Sequence, residues 1–382
     1  MITRRNFNKL SLGSFGLIIC PKFLYAQNYS GPINWVGGSF LTGASDIEKD
    51  FPLTKPASEI IMKENNATFL NSYLIKTLKE FPLINVNLQL GGYADDAQLA
   101  LTFSFAAEFD FGKFDDDTDN TFIYLIYSFG QSILYNPKSR MIISSVPVRH
   151  IAPHVVKKNE LAKFKSIKVE LMKRAFHNDE NPKQTYIQQF RNMLDKQSFQ
   201  KKEWAGRKPK ITDVIIPNKS DLFNNFGLSK EKFREFVGQS STFAFGYKLN
   251  RPIIPFMKTK GLGVTTIMRF NSSTKLYQKV ATKLPKPDLD IQIFHRGWRF
   301  KEEPYIKGND DIIKVKMGMG LRVKVIDLFE EETIYDLSFI ATKSFLENSD
   351  RVMRSDASTV CEMTEALLER IFQSVGDKSY RS

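Results

Sequence analysis

The sequence predicts an α+β fold of two domains, each a largely antiparallel sheet with a long hairpin followed by helices packed on one face. Three observations predict it. TFIYLIYSFGQSILY and RMIISSVPVRH, both rich in aromatic and β-branched residues, flank the turn-forming NPKS at 136–139. IIKVKMGMGLRVKVI and TIYDLSFIATK flank LFEEE in the same way further along the chain. Between the hairpins, KKEWAGRKPK at 201–210 gathers Gly, Pro and bases and marks a boundary. The domains are therefore set at 27–203 and 211–382, joined by 204–210, and the 382 residues are enough for both.

Taken in order, residues 27–55 hold Gly31, Pro32, Gly37, Gly38, Gly43 and Pro52 and read as loop with one short strand. From Ala57 to Glu80, Ile60, Ile61, Phe69, Tyr73, Leu74 and Leu78 fit one or two amphipathic helices, ended by Pro82. NVNLQL alternates at period two, and LALTFSFAAEFDF follows as a second strand. After the first hairpin, helices are expected over 157–176 and 185–203, separated by NDENP. ITDVIIP opens the second half as a strand. A helix runs from Ser229, a good N-cap with Glu231 in the first turn, to about Leu249. Short strands around PIIPF, VTTIMRF and LDIQIF precede the second hairpin. The chain closes with a helix from Asp356 to Ser374, where Val360, Met363, Leu367 and Ile371 share one stripe. Both halves thus place a helix after a hairpin, the pattern of a structural duplication.

The first residues, MITRRNFNKL, carry Arg4, Arg5 and Lys9 ahead of the mildly apolar SLGSFGLIIC. With FLYAQ following, this is a basic start, an apolar middle and a small residue before a polar one, the three parts of a secretory signal. The apolar run of about ten residues is half of what a bilayer-spanning helix needs, so no transmembrane anchor is expected in the mature chain. Thr3, Arg4, Arg5, Phe7 and Lys9 are similar to the twin-arginine export pattern Ser/Thr-Arg-Arg-x-Phe-x-Lys, with Asn8 where Leu is frequent. That resemblance implies export, already folded, to the bacterial periplasm, with cleavage after Ala26.

Hydrophobic content of 42% and charged content of 25% are those of a globular protein, and the formal charge is +13. A basic chain outside the cytosol points to envelope proteins or anionic envelope components rather than nucleic acid. A Lys-rich solvated surface is the alternative. Cys20 leaves with the signal, so Cys361 stands alone, without a disulfide partner, in a helical pattern.

The chemistry-bearing groups are few. His150 and His154 in HIAPH would share one face of a helix as metal ligands, joined by His177 or His295; otherwise they are loop or surface histidines. Asp115, Asp117 and Asp119 open like a calcium loop, but Asn120 and Ile126 replace the required Gly and Glu, which favours a hairpin turn. KTKGLGV offers Gly261 and Gly263 without a third glycine, and Ser144 and Ser145 near His150 scatter over both faces of a strand. In HRGWRF, Arg296, Trp298 and Arg299 combine cations with an aromatic ring, suited to an acidic or sugar-like ligand. The alternative is a strand end with Trp298 and Phe300 inward. Helix 157–176 carries a basic face, towards lipid or towards water. The sequence assigns no cofactor.

The element order over 211–375, with LRVKVIDLFEEETIYDLSF and DASTVCEMTEALLERIF, resembles the periplasmic α/β domain shared by the curli-secretion lipoprotein and the N-terminal domain of TolB. Those are assembly and transport components, so the resemblance implies a non-catalytic role, and it carries no site residues. The reading is an exported protein with a binding, assembly or structural role in the cell envelope. A periplasmic metal-dependent hydrolase using His150 and His154 is the alternative.

Overall fold

The computed structural model describes residues 33–41, 46–67, 73–76, 86–87, 99–111, 121–157, 163–178, 184–196, 207–217, 229–257, 264–271, 276–306, 309–348 and 357–379. The signal segment, the Asp115–Asn120 loop, and Gly261 and Gly263 lie outside them.

Two sheets with interleaved helices make an α+β architecture. The first sheet holds β1 (Ile33–Phe40), β2 (Val86–Asn87), β3 (Leu99–Phe111), β4 (Thr121–Asn136), β5 (Met141–Lys157), β7 (Val264–Asn271) and β8 (Leu276–Lys283). The second holds β6 (Pro209–Ile215), β9 (Leu289–Ile306), β10 (Asn309–Asp327) and β11 (Glu332–Asn348), in the order β11-β10-β9-β6. Both long hairpins form where the sequence places them. The tight turns use left-handed residues, Arg140 at φ 57° and Glu331 at φ 54°.

The first sheet runs β2-β1-β3-β4-β5-β8-β7, and β1 also pairs with β7, which closes the row into a ring of pairings. The hairpin β7–β8 therefore returns from the second half of the chain to a sheet begun in the first. Of the expected strands, PIIPF supplies only an isolated bridge, Ile254 to Lys210, while β8 is an additional strand.

Each face of the first sheet has its own core. On one side Phe40, Phe103 and Phe105 pack against α1 (Ile47–Asp50), α2 (Thr54–Glu64), α3 (Phe164–Lys173) and α4 (Tyr186–Lys196) through Phe51, Phe176 and Tyr186. On the other, Phe109, Phe111, Tyr127 and Phe129 surround Phe236 of α5 (Lys230–Leu249) at centroid distances of 5.0–6.1 Å. A bulge between Phe105 and Ala107 makes this possible, because it turns the odd residues of β3 from one face to the other. The expectation of helices on one face holds for the second sheet and not for the first, which is covered on both. β3 is accordingly buried almost without interruption, the pattern of a strand with no wet side.

Helix α5 starts at Ser229, whose hydroxyl accepts the Lys232 N–H at 3.1 Å, and ends at Asn250 in the left-handed region. Lying between the sheets, it is buried at Phe233 and without interruption from Phe236 through Gly246. Helix α6 (Ala357–Ser379) lies beside it, with Cys361, Leu368, Ile371 and Phe372 fully buried. The layers run helix, sheet, helix, sheet, and the outer face of the second sheet is covered by no described element. No helix among the described residues is long and apolar enough to cross a membrane.

Candidate functional site

The histidines do not converge. Residues 150 and 154 lie on β5, which continues to Lys157, past the point where the sequence suggested a strand end. In an extended strand, positions four apart share a face but stand about 13 Å from each other, too far for one ion. His150 is buried edge-on to Tyr186 at 6.2 Å, and burial pulls its pKa down to about 4. His154 is half-buried opposite Tyr124, and His177 is exposed at the end of α3. His295 lies in the other core against Phe233 and Trp298, lowered to about 3 by burial. Its Nδ1 accepts the Gly297 N–H at 3.0 Å. Among the described residues, no three His, Cys, Asp or Glu are grouped to hold a metal ion.

Buried acids and bases are engaged with the fold itself. Glu108 reaches from β3 to the start of α2, where its carboxyl accepts the N–H groups of Leu53 at 3.0 Å and Thr54 at 2.7 Å and the Thr54 hydroxyl at 2.8 Å. Burial still pushes its pKa up to about 7. Arg149 on β5 meets Glu365 of α6 at 2.7 Å, and Glu365 also accepts from Ser240 of α5 at 3.2 Å. Burial raises the Glu365 pKa, and the Arg149 guanidinium opposes the rise. Arg149 itself lies 4.2 Å above the Phe243 ring. These contacts bind α6 and α5 to the first sheet across the inner layer.

HRGWRF is where charge and exposure coincide. On a regular strand, Arg296 and Arg299 would point to opposite faces, being three apart. Gly297, at φ 83°, forms a bulge with Met319 paired to Trp298 and Leu321 paired to His295. The extra residue puts His295 and Trp298 both inside and Arg296 and Arg299 both outside. The ligand-binding trio suggested by the sequence is thus split: Trp298 is buried at 5.6 Å from Phe233, and the two arginines stand in the open.

Outward along β10 come Lys314, Lys316, Gly318, Gly320, Arg322 and Lys324, alternating with buried Val315, Met317, Met319, Leu321 and Val323. Arg299 is opposite Gly318, and the Arg296 side chain lies over Gly320, where an added Cβ would meet it at 3.4 Å. Acids on this face are partly spent. Glu303 holds Lys301 at 2.7 Å and Lys316 at 2.8 Å, which together pull its pKa down to about 2. Asp336 holds Arg322 through two bonds of 2.5 and 2.7 Å. Arg296 donates to the Ser338 hydroxyl at 3.3 Å and, after Arg322 and Lys324, adds a weaker pull on the Asp336 carboxylate. Among the described residues, Arg299 and Lys314 meet no acid. Ile340 of β11 stands among these cations, 70% exposed.

The sequence reading picked out Arg296 and Arg299 but not the β10 residues, although the period-two run KVKMGMGLRVK carried the signal. The basic helix face it did pick out, now α3, is paired in part: Lys168 with Asp110, and Lys173 with Glu64 at 2.7 Å and Glu170 at 3.0 Å, while Lys163, Lys165 and Arg174 are exposed.

No protein-family model matches the chain, and no curated protein sequence does. Among solved structures it is similar to a PelC dodecamer from Paraburkholderia phytofirmans, at 9% identity and TM-score 0.22, over 44% of this chain and 86% of that one. It is also similar to a minor lipoprotein from Acinetobacter baumannii, at 5% identity and TM-score 0.20, over 44% and 88%. A third likeness is to a DUF330 protein from Xanthomonas campestris, at 14% identity and TM-score 0.13, over 26% and 54%. Scores at this level establish no shared fold.

Proposed function

We propose that the protein is exported to the bacterial periplasm and serves there, without catalysis, as a binding or assembly component of the cell envelope. The observation that carries this reading is the pairing of Arg4 and Arg5, with Phe7 and Lys9, ahead of a weakly apolar segment. The non-catalytic part is supported by how the interior acids and histidines are placed. His150 and His295 sit neutral against aromatic rings, and Glu108 and Glu365 are held by α2 and by Arg149.

Replacing Arg4 and Arg5 together with Lys tests the export route. The reading expects folded protein to accumulate in the cytosol; unchanged delivery to the periplasm would count against it. Metal analysis of the purified protein tests the rest. Stoichiometric zinc that disappears in His150→Ala and in His154→Ala would replace this reading with a metal-dependent hydrolase.

A further inference from the structure

We infer that the outer face of the second sheet is a docking surface for an anionic lipid bilayer, on which β9, β10 and β11 lie flat. The inference deepens the envelope role and depends on it only for which membrane is met; the chemistry belongs to the face itself.

Three features select this occupant. First, the face keeps a positive excess after its internal pairs are formed. Glu303 is engaged by Lys301 and Lys316 and Asp336 by Arg322, with Arg296 adding only a weaker pull on Asp336, while Arg299 and Lys314 meet no carboxylate among the described residues. A planar array of phosphate headgroups complements cations spread over two neighbouring strands, β9 and β10, both of which touch it at once. Second, the centre of the face is stripped of side chains. A Cβ at Gly318 would meet only the Thr342 methyl, at 4.0 Å, so the surface between the arginines and Ile340 is low and open. Third, Ile340 projects from the middle of this basic plane and Ile334, 38% exposed, from its side. Apolar groups amid cations suit the headgroup boundary, where one enters the acyl region as the other binds phosphate. A soluble polyanion would satisfy the cations and leave the isoleucines in water.

The Gly297 bulge gives the arrangement its specificity. It places Arg296 and Arg299 on one face while Trp298 and His295 fix the strand from beneath. A surface held by scattered lysines would have no use for a left-handed glycine at that position.

Co-sedimentation of the purified chain with vesicles tests the inference, and whatever the N-terminal segment adds is common to every variant. The wild-type protein should pellet with vesicles containing phosphatidylglycerol, stay in solution with phosphatidylcholine alone, and be released as salt shortens the screening length. Arg296→Glu with Arg299→Glu should weaken binding roughly tenfold or more. Ile340→Ser should weaken it severalfold, and Lys163→Glu with Lys165→Glu on α3 should leave it unchanged. All are exposed positions, and an unaltered melting curve establishes that each variant is folded. Binding that survives the arginine reversals, or is abolished by the α3 reversals, overturns the inference. So does tight binding of soluble polyphosphate that Ile340→Ser leaves intact together with vesicle binding. None of these results depends on the export route, so failure here and failure of the periplasmic reading are distinguishable.

Discussion

The two sheets dispose of their polar groups in opposite ways. The first is covered on both faces, and many of the polar side chains inside it are matched to one another. Ser39 bonds Thr102 at 3.2 Å and also Ser104, while Gln131 links Ser145 and Gln239, each at 3.4 Å. The second sheet pairs its inner side with α5 and α6 and leaves lysines and arginines on its outer side. Burial makes the difference. A polar group between two layers costs free energy unless it is bonded, whereas on an open face water satisfies it and its charge remains available to a partner. Function is therefore sought on the second sheet, and stability is held by the first.

Substitutions matched between the two regions can break that contrast. The largest effect belongs to Arg149→Ala, which strands the Glu365 carboxylate between layers and should cost about 3–5 kcal/mol in chemical denaturation. Arg322→Ala, which opens the Arg322–Asp336 pair on the outer face, should leave the midpoint where it is. Equal losses at the two would erase the distinction.

The pH dependence of folding follows next. A histidine whose folded pKa lies below its unfolded value of about 6.5 binds more protons when unfolded. The stability it supports is complete above 6.5 and falls as pH drops towards the folded value, about 4 for His150 and about 3 for His295. Across its own window His150 should remove roughly 3 kcal/mol and His295 roughly 5 kcal/mol. Glu108 acts with the other sign: raised to about 7, it lowers stability as pH climbs from 4.5 to 7, and Glu108→Gln should flatten that limb. Urea melts from pH 4 to 8 on wild type, His150→Phe and Glu108→Gln measure both slopes. A slope unchanged by either substitution contradicts the assignment.

Glycines sharpen the comparison at a smaller scale. At Gly238 a Cβ would stand 2.4 Å from the Phe256 ring, so Gly238→Ala should cost about 1–3 kcal/mol. At Gly297 the nearest atom is 3.6 Å away, and the cost of about 1–2 kcal/mol comes from the positive φ alone. Gly318→Ala on the open face should be neutral or stabilising by about 0.5 kcal/mol, since an ordinary strand conformation gains from a less flexible unfolded chain.

Much of this contrast was written in the strands. β10 alternates basic or small residues with Val, Met and Leu, and that period declares one wet face. LALTFSFAAEFDF is apolar nearly throughout, as a strand covered on both sides must be. Ser229 and the stripe through α6 also read correctly. What escaped depended on partners distant in sequence. Nothing local tells β7 and β8 to close onto β1 and β5, and nothing in HIAPH shows that β5 continues past Pro153. The bulge at Phe105/Ala107 and the one at Gly297 reverse which residues share a face, so alternation alone misplaces Glu108, puts Trp298 beside Arg296 and parts Arg296 from Arg299. A glycine inside a strand pattern was the available sign of the second bulge.

Lysine footprinting tests most directly the claim that the open sheet face is where the protein binds. The protein is acetylated briefly with and without phosphatidylglycerol vesicles, and each lysine is quantified by mass spectrometry. The account predicts that Lys314, Lys316 and Lys324 are shielded by the vesicles while Lys163 and Lys165 react as before. Shielding of the α3 lysines with continued labelling of those on β10 would contradict it.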